Sequence, residues 1–250
     1  QHRAAYELAG TEYTDFDHVE LDVGLRKKLV ALDRQMIEEC QRRYTIAETT
    51  TKRLERFNGV HAEPLYHPPR LAERLHPGPY GSYVLSVGRL ESIKRVDLLL
   101  RAMPDVDPSL RLLVAGEGTQ RQQFQMIAEE CGLDGRVEFL GQVTDETLLE
   151  LYAGALAVVF VPYDEDYGLV TLEAFLARKP VVTATDSGGT LEFVKDGVSG
   201  IVCDPKAEAI ADALNRLAAD RRLAAVLGEG GYERARTITW DHVIEKLVEP

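Results

Sequence analysis

Two stretches of this 250-residue chain gather side chains suited to an anionic, hydroxyl-rich ligand. The first is SVGRLESIKR, where Gly88 lets the chain turn after an apolar run and Arg89 and Lys94 follow closely. In an open α/β sheet the carboxyl ends of the strands are where ligands bind. Lys94 and Arg95 are predicted in the first turn of the next helix, where the macrodipole is already positive and cations are unfavourable unless an anion faces them. A phosphate would resolve the conflict. Solvated cations with Asp97 as a partner would resolve it equally, and this stretch alone does not choose between them.

The second stretch is VPYDEDYGLVTLEAFLARKP. An apolar run, Leu156 to Val161, leads through an acidic loop and Gly168 into a helix that is apolar on nearly every face except at Glu173. Such a helix should be buried, and a carboxylate inside it needs a polar partner, because an unpaired buried charge is costly. The helix dipole is a poor partner, since with a start near Gly168 the acid falls in the second turn, where that effect has faded. A bound ligand is the better one. Asp164-Glu165-Asp166 formally matches D-x-D, a pattern that can hold a divalent cation between carboxylates and a diphosphate. Arg89 and Lys94 could neutralise a diphosphate instead, so no metal is assigned.

Other features carry less chemistry. VAGEGTQRQQF places Gly116 and Gly118 as in the dinucleotide fingerprint G-x-G-x-x-G, but Arg121 occupies the third glycine position, and a plain βα turn is the simpler reading. Gly188-Gly189 could present backbone N–H groups to an oxygen-rich ligand or make an ordinary turn. His2, His18, His61, His67, His76 and His242 have no metal-ligand spacing. Cys40, Cys131 and Cys203 are odd in number and lack C-x-x-C spacing, so neither a disulfide framework nor a zinc site is indicated, and a reducing compartment is expected. Trp240 reads as an anchor for the last helix.

The elements that would position these residues follow from periodicity. From about Ser82 the runs SYVLSVG, LRLLVAG, RVEFLG, ALAVVFVP, PVVTAT and GIVCD alternate with helix-length amphipathic segments. Val96, Leu99, Leu100 and Met103, at i, i+3, i+4 and i+7, form one buried stripe. The fold class is therefore α/β: a Rossmann-like parallel sheet with helices on both faces, over residues 81–236, with a C-terminal helix over 237–250. Residues 1–66 read as an incomplete α/β segment, with a helix near Leu25 to Arg43, a strand at Tyr44 to Ala47, a helix closed by Asn58-Gly59 and a strand near Glu63 to Tyr66. Residues 67–80 lie in a connection, HPPRLAERLHPGPYG, holding four of the eleven prolines. The part before it falls short of the roughly 100 residues of a doubly wound domain. The chain is expected to be a fragment or an unusual short form.

With 45% hydrophobic residues the chain is neither disordered nor fibrous. Its 29 Lys and Arg against 41 Asp and Glu, a net charge of −12, argue against a general nucleic-acid binder or a basic membrane coat. No apolar run approaches the length of a membrane span, and QHRAAYELAG has no signal-peptide pattern, so a cytoplasmic protein is the expectation.

SVGRLESIK, GQVTDETLLELY and EDYGLVTLEA, in that order between about Tyr80 and Trp240, resemble the nucleotide-sugar-binding half of retaining glycosyltransferases of the GT-B fold, particularly glycosyltransferase family four. Glu165 and Glu173 match that family's E-x7-E pattern, and Tyr167-Gly168 stands where it commonly has Phe-Gly. The resemblance implies that Arg89 and Lys94 bind the donor diphosphate and stabilise the leaving nucleotide. It also implies that Glu173 takes the ribose hydroxyls, Glu165 the donor sugar hydroxyls, and the Gly168, Leu169 and Val170 amides the phosphates. Val143 matches a position whose backbone meets the nucleobase.

The resemblance further implies a UDP- or GDP-linked sugar as donor, no cofactor or divalent metal, transfer with retention in glycan or polysaccharide biosynthesis, and acceptors that are glycans, lipid-linked or small molecules. TIAETTTKRLERFNGVHAEPLYHPP resembles the end of the acceptor domain, and QHRAAYEL a stretch near its middle. A family histidine near the donor sugar would correspond to His2. The glycine-rich loop that begins the acceptor domain is absent, and peripheral membrane contact would come through that missing region. Two rival readings are a noncatalytic nucleotide-binding module and an NAD-dependent oxidoreductase.

Overall fold

The computed structural model describes Leu8, Thr11, Tyr13 and residues 20–248, and the chain divides into two units, Gln1–Tyr66 and His67–Pro250. His2, aligned above with a family histidine, and His18 lie outside the described residues.

In the first unit, helix α1 (Glu20–Glu38) is followed by strand β1 (Tyr44–Thr45), helix α2 (Glu48–Asn58) and strand β2 (Glu63–Pro64). The strands pair in parallel, Tyr44 with Glu63 and Thr45 with Pro64, so α2 is the crossover of a βαβ turn. Its entry is fixed by the Thr50 hydroxyl, which accepts a 3.1 Å hydrogen bond from the Ala47 N–H, and its exit by Gly59 at φ +66°. Leu54, Val60 and Ala62 form a small core with Ile37 packed on it, whereas none of residues 23–38 is itself buried.

The second unit is a six-stranded parallel sheet: β3 (Tyr83–Val87), β4 (Arg111–Ala115), β5 (Val137–Gly141), β6 (Ala157–Val159), β7 (Val181–Ala184) and β8 (Gly200–Cys203). Its order is β5-β4-β3-β6-β7-β8, so the chain starts in the middle, winds outward one way, then returns to wind outward the other way. The reversal falls between β3 and β6, which pair Val84 with Ala157 and Leu85 with Val158. Loops leaving the carboxyl ends of two such strands part in opposite directions and leave a crevice between them. Both stretches that the sequence singles out are these loops.

The covering helices are α3 (Val96–Ala102), α4 (Arg121–Glu130), α5 (Asp145–Gly154), α6 (Leu169–Leu176), α7 (Ala207–Ala219), α8 (Arg221–Ala235) and α9 (Trp240–Val248). Helix α3 packs with α4 and α7, and α6 with α8. The stripe Val96, Leu99, Leu100 and Met103 is buried in the main core beside Val84, Leu112 and Val114. The proline-rich segment is stapled to this unit rather than left as a tether. Arg70 pairs with Asp145, Arg74 with Glu146, and the buried Lys179 ammonium donates to the Gly78 and Pro79 carbonyls at 2.9 and 3.1 Å. Trp240 anchors α9 through a stack on His67, which in turn stacks on Tyr167 with centroids 4.9 Å apart. None of the described helices is long and apolar enough to cross a membrane.

Candidate functional site

The chain leaves β3 through Gly88, at φ +148°, and packs tightly against the loop after β4. A side chain at Gly116 would overlap the Gly88 carbonyl, and one at Gly118 would overlap the backbone of Leu90, whose N–H donates to Glu117 O at 2.9 Å. The two glycines of the fingerprint-like G-E-G thus let one loop lie on its neighbour. Arg89, Gly88 and Val87 line one side of a hollow of about 440 Å³, and Gln142, Val143 and Leu148 line the other.

Lys94 closes a short 3-10 turn, Ser92–Lys94, and Arg95 follows at φ +51°, so α3 begins at Val96. This corrects the expectation that Lys94 and Arg95 occupy the first turn of the helix: the left-handed Arg95 separates the 3-10 turn from α3, which starts only after both residues, and their side chains go to separate partners. Lys94 forms an ion pair with Glu165, both side chains being less than one-fifth exposed, and its ammonium lies 5.6 Å from the centre of the Phe160 ring. Arg95 forms a bidentate pair with Asp186. Arg89 and Lys94 line one narrow crevice with Gly88 and Phe160. Asp97, offered by the sequence as an alternative partner for the cations, lies in the first turn of α3.

The acidic loop is held by its backbone. Asp164 takes φ +42°, its N–H donating to Asp186 O at 2.9 Å, and the Gly189 N–H donates to Glu165 O at 2.6 Å. Side chains at Gly188 or Gly189 would collide with residues 164–166, so the glycine pair serves to clasp this loop. Gly168, at φ +78°, caps α6, and an added Cβ would stand 2.8 Å from Thr190 Oγ1. The N–H groups of Leu169 and Val170 then open α6, where an α-helix offers them no intrahelical partner.

Glu173 lies further along α6, and its partner belongs to the chain: Tyr152 Oη, fully buried on α5, donates to Glu173 Oε2 at 2.6 Å. Burial pushes the Glu173 carboxyl above the ordinary range, while the Tyr152 hydrogen bond and the Arg70 charge pull it back. Burial also drives the Tyr152 phenol well upward, so it stays a donor. The structure therefore joins Arg89 with Lys94, Lys94 with Glu165, and Arg89 with Val143, and gives Glu173 a place of its own on α6. Sequence reasoning missed Tyr152, Asp186 and the role of Arg95. A tyrosine in the apolar run LLELYAG was the one signal available, since a buried hydroxyl needs a partner.

Residues 78–234 match the family of glycosyl transferases group 1. The chain belongs to this family. Similar group 1 relatives include the D-inositol 3-phosphate glycosyltransferase of Thermomonospora curvata, 36% identical over 185 residues that cover 68% of this chain and 43% of the relative. An uncharacterized glycosyltransferase of Methanocaldococcus jannaschii is 32% identical over 169 residues, 66% of this chain and 43% of the relative. The chain thus spans less than half the length of the curated relatives it matches. Among solved structures, sucrose-phosphate synthase from Thermosynechococcus elongatus shares the fold with a TM-score of 0.79 at 24% identity, covering 88% of this chain and 60% of that one. HepE of Anabaena, solved with UDP and glucose, does so with a TM-score of 0.79 at 20% identity, covering 88% and 67%. The GT-B fold of the group 1 enzymes is the fold of this chain, and its six-stranded unit is the part that the family match covers.

Proposed function

We propose that this group 1 chain supplies the nucleotide-sugar-binding half of a retaining glycosyltransferase of family four. The observation that carries the reading is the joint crevice of Arg89 and Lys94 at the switch point of the sheet, opening beside the hollow lined by Val143. In this reading the nucleobase lies against the Val143 backbone in that hollow. The diphosphate meets Arg89, Lys94 and the amides of Gly168, Leu169 and Val170. Glu173, oriented by Tyr152, accepts from the ribose hydroxyls through its remaining oxygen, and Glu165 from hydroxyls of the transferred sugar. That HepE is solved with UDP and glucose supports a UDP-linked sugar as donor, with a GDP-linked one as the second candidate.

In the transfer the bond from the anomeric carbon to the leaving phosphate oxygen breaks, and a bond to the acceptor oxygen forms on the same face. The acceptor proton passes to the leaving phosphate oxygen. Arg89 and Lys94 stabilise the charge that develops there, in place of a divalent cation. Glu165 and Glu173 are then ligands for hydroxyls rather than the acid and nucleophile pair of a glycoside hydrolase. Residues 1–66 are assigned to the acceptor domain of the complete enzyme, which would act in glycan or polysaccharide biosynthesis on a glycan, lipid-linked or small-molecule acceptor and could touch the membrane peripherally.

A thermal-shift panel of UDP, GDP, ADP and their glucose and mannose conjugates tests this. A ligand bound only by the native state raises the melting temperature. A rise with a UDP or GDP compound, unchanged by EDTA, is expected. No rise with any of the panel would overturn the reading, and a rise that EDTA abolishes would overturn its metal-free part.

A further inference from the structure

Arg95 holds its guanidinium among three loops. Its Nε donates to Val161 O at 2.8 Å and its Nη2 to Pro162 O at 2.9 Å, both in the loop after β6. The Nη1 and Nη2 groups also reach the two carboxylate oxygens of Asp186, after β7, at 2.8 and 2.6 Å. The residue itself belongs to the loop after β3. It is only 8% exposed and adopts φ +51°, a conformation glycine takes freely but a residue with a Cβ rarely does. A large charged side chain in such a place is held there by what its guanidinium grips.

The grip lies beside the donor cleft. On one side of Lys94 the Ile93 carbonyl accepts from the Tyr163 N–H at 2.8 Å, and on the other stands Arg95. Asp186, taken by the Arg95 fork, offers its backbone carbonyl to the Asp164 N–H, next to the Glu165 that Lys94 meets. Two adjacent basic residues thus meet two acids on two loops, one pair inward and one toward the crevice.

We infer that Arg95 is a positioning residue for donor binding: by tying the loops after β3, β6 and β7 together it fixes the backbone that aims Lys94 into the cleft. The inference rests on the reading of Lys94 as a diphosphate ligand. Arg95 touches no substrate in it and acts through its neighbour. A side chain held only for stability would change the melting temperature alone. One held for aim changes nucleotide affinity through Lys94.

The two outcomes separate in a double-mutant cycle read by calorimetry with UDP and GDP, on the wild-type chain, Arg95→Gly, Lys94→Ala and the pair. Glycine suits the left-handed backbone, so Arg95→Gly removes the grip without straining the turn. It is expected to weaken nucleotide binding about tenfold on its own and by less than about twofold when Lys94 is already alanine. Arg95→Lys, which keeps the charge but not the fork, should show most of the same loss. Should Arg95→Gly not fold, Asp186→Asn releases the grip from the other side and should give the same pattern. Unchanged affinity in a folded Arg95→Gly, or Asp186→Asn in its place, or equal losses with and without Lys94, overturns the inference alone. Failure of the wild type to bind either nucleotide, or a Lys94→Ala that binds as well as wild type, overturns the donor-site reading and takes this inference with it.

Discussion

Two glutamates eight positions apart, Glu165 and Glu173, flank the start of α6 and live in opposite surroundings. Glu165 sits on a clasped loop and is answered by a full positive charge, Lys94, which arrives from the loop after a different strand. Glu173 sits inside an apolar helix and is answered by a neutral phenol. The difference teaches how one fold gives two carboxylates two different surroundings. Where loops from neighbouring strands cross, opposite charges can meet. Where Tyr152 of α5 meets α6, a neutral hydroxyl answers the acid, and burial raises its carboxyl above the ordinary range.

The largest effect that would break this contrast is expected from Lys94. Lys94→Ala removes the proposed diphosphate ligand and leaves a largely buried Glu165 without its counter-charge, so nucleotide affinity should fall on the order of a hundredfold. Calorimetry at neutral pH checks it. A variant that binds within twofold of wild type would mean that the ion pair is structural and that both acids are scaffold.

Glu173→Gln keeps the shape and removes the charge, and a loss of about tenfold in nucleotide affinity is expected from the weaker acceptor. The sharper readout is pH. Burial raises the folded carboxyl above its ordinary value, so on acidification wild-type Glu173 takes up its proton earlier than an exposed glutamate would, and binding weakens from that higher pH. The glutamine variant should lack that step. Stability runs the other way: the folded state holds this proton more tightly than the unfolded chain, a contribution fully present below the ordinary carboxyl range and lost as pH rises through the raised value. Parallel binding and melting curves with opposite pH slopes would fix the assignment; identical curves for wild type and Glu173→Gln would remove it.

The same contrast marks what could be read from the sequence. All six strands of the second unit and the buried stripe of α3 follow from apolar runs and a 3.6-residue period, which are local patterns. The polarity of α6 around Glu173 was legible for the same reason. The partner was not, because Tyr152 lies 21 residues away on another helix, and nothing local ties a phenol to one acid rather than another. The left-handed Arg95 was equally hidden: its conformation is set by carbonyls 66 and 67 residues on and by Asp186, 91 residues on. Periodicity shows which face is buried; long-range pairing decides which polar group is answered there.

Lys179 extends the comparison to a base. Like Glu173 it is buried and answered by neutral groups, the Gly78 and Pro79 carbonyls and the Tyr80 ring 4.1 Å away. Burial brings its ammonium down to about 8 from the ordinary 10.5. The fold therefore opposes this charge below pH 8, and the opposition fades as pH rises from 8 toward 10.5, where the unfolded chain also loses its proton. Wild-type stability should gain over that interval relative to Lys179→Met. At neutral pH the methionine variant strands two carbonyls but also removes the opposed charge, so its stability should stay within about 1 kcal/mol of wild type, with nucleotide affinity unchanged. A loss of affinity would show that the proline-rich segment and the nucleotide site communicate.

Arg70 offers the smallest effect and the finest discrimination. It forms an exposed fork on Asp145, whose carboxyl it holds below the ordinary range, and its charge also lowers that of Glu173. Exposed pairs contribute little to stability, so Arg70→Ala should barely change the melting temperature. It should, however, move the acid limb of nucleotide binding slightly upward in pH, because Glu173 loses a cation that, with its phenol, lowers its carboxyl. Raising the salt screens the same charge at a distance, so the wild type should drift toward the variant and the variant should stay where it is. An acid limb that moves with salt in Arg70→Ala as much as in wild type would place the source of the sensitivity elsewhere than at the acid inside α6.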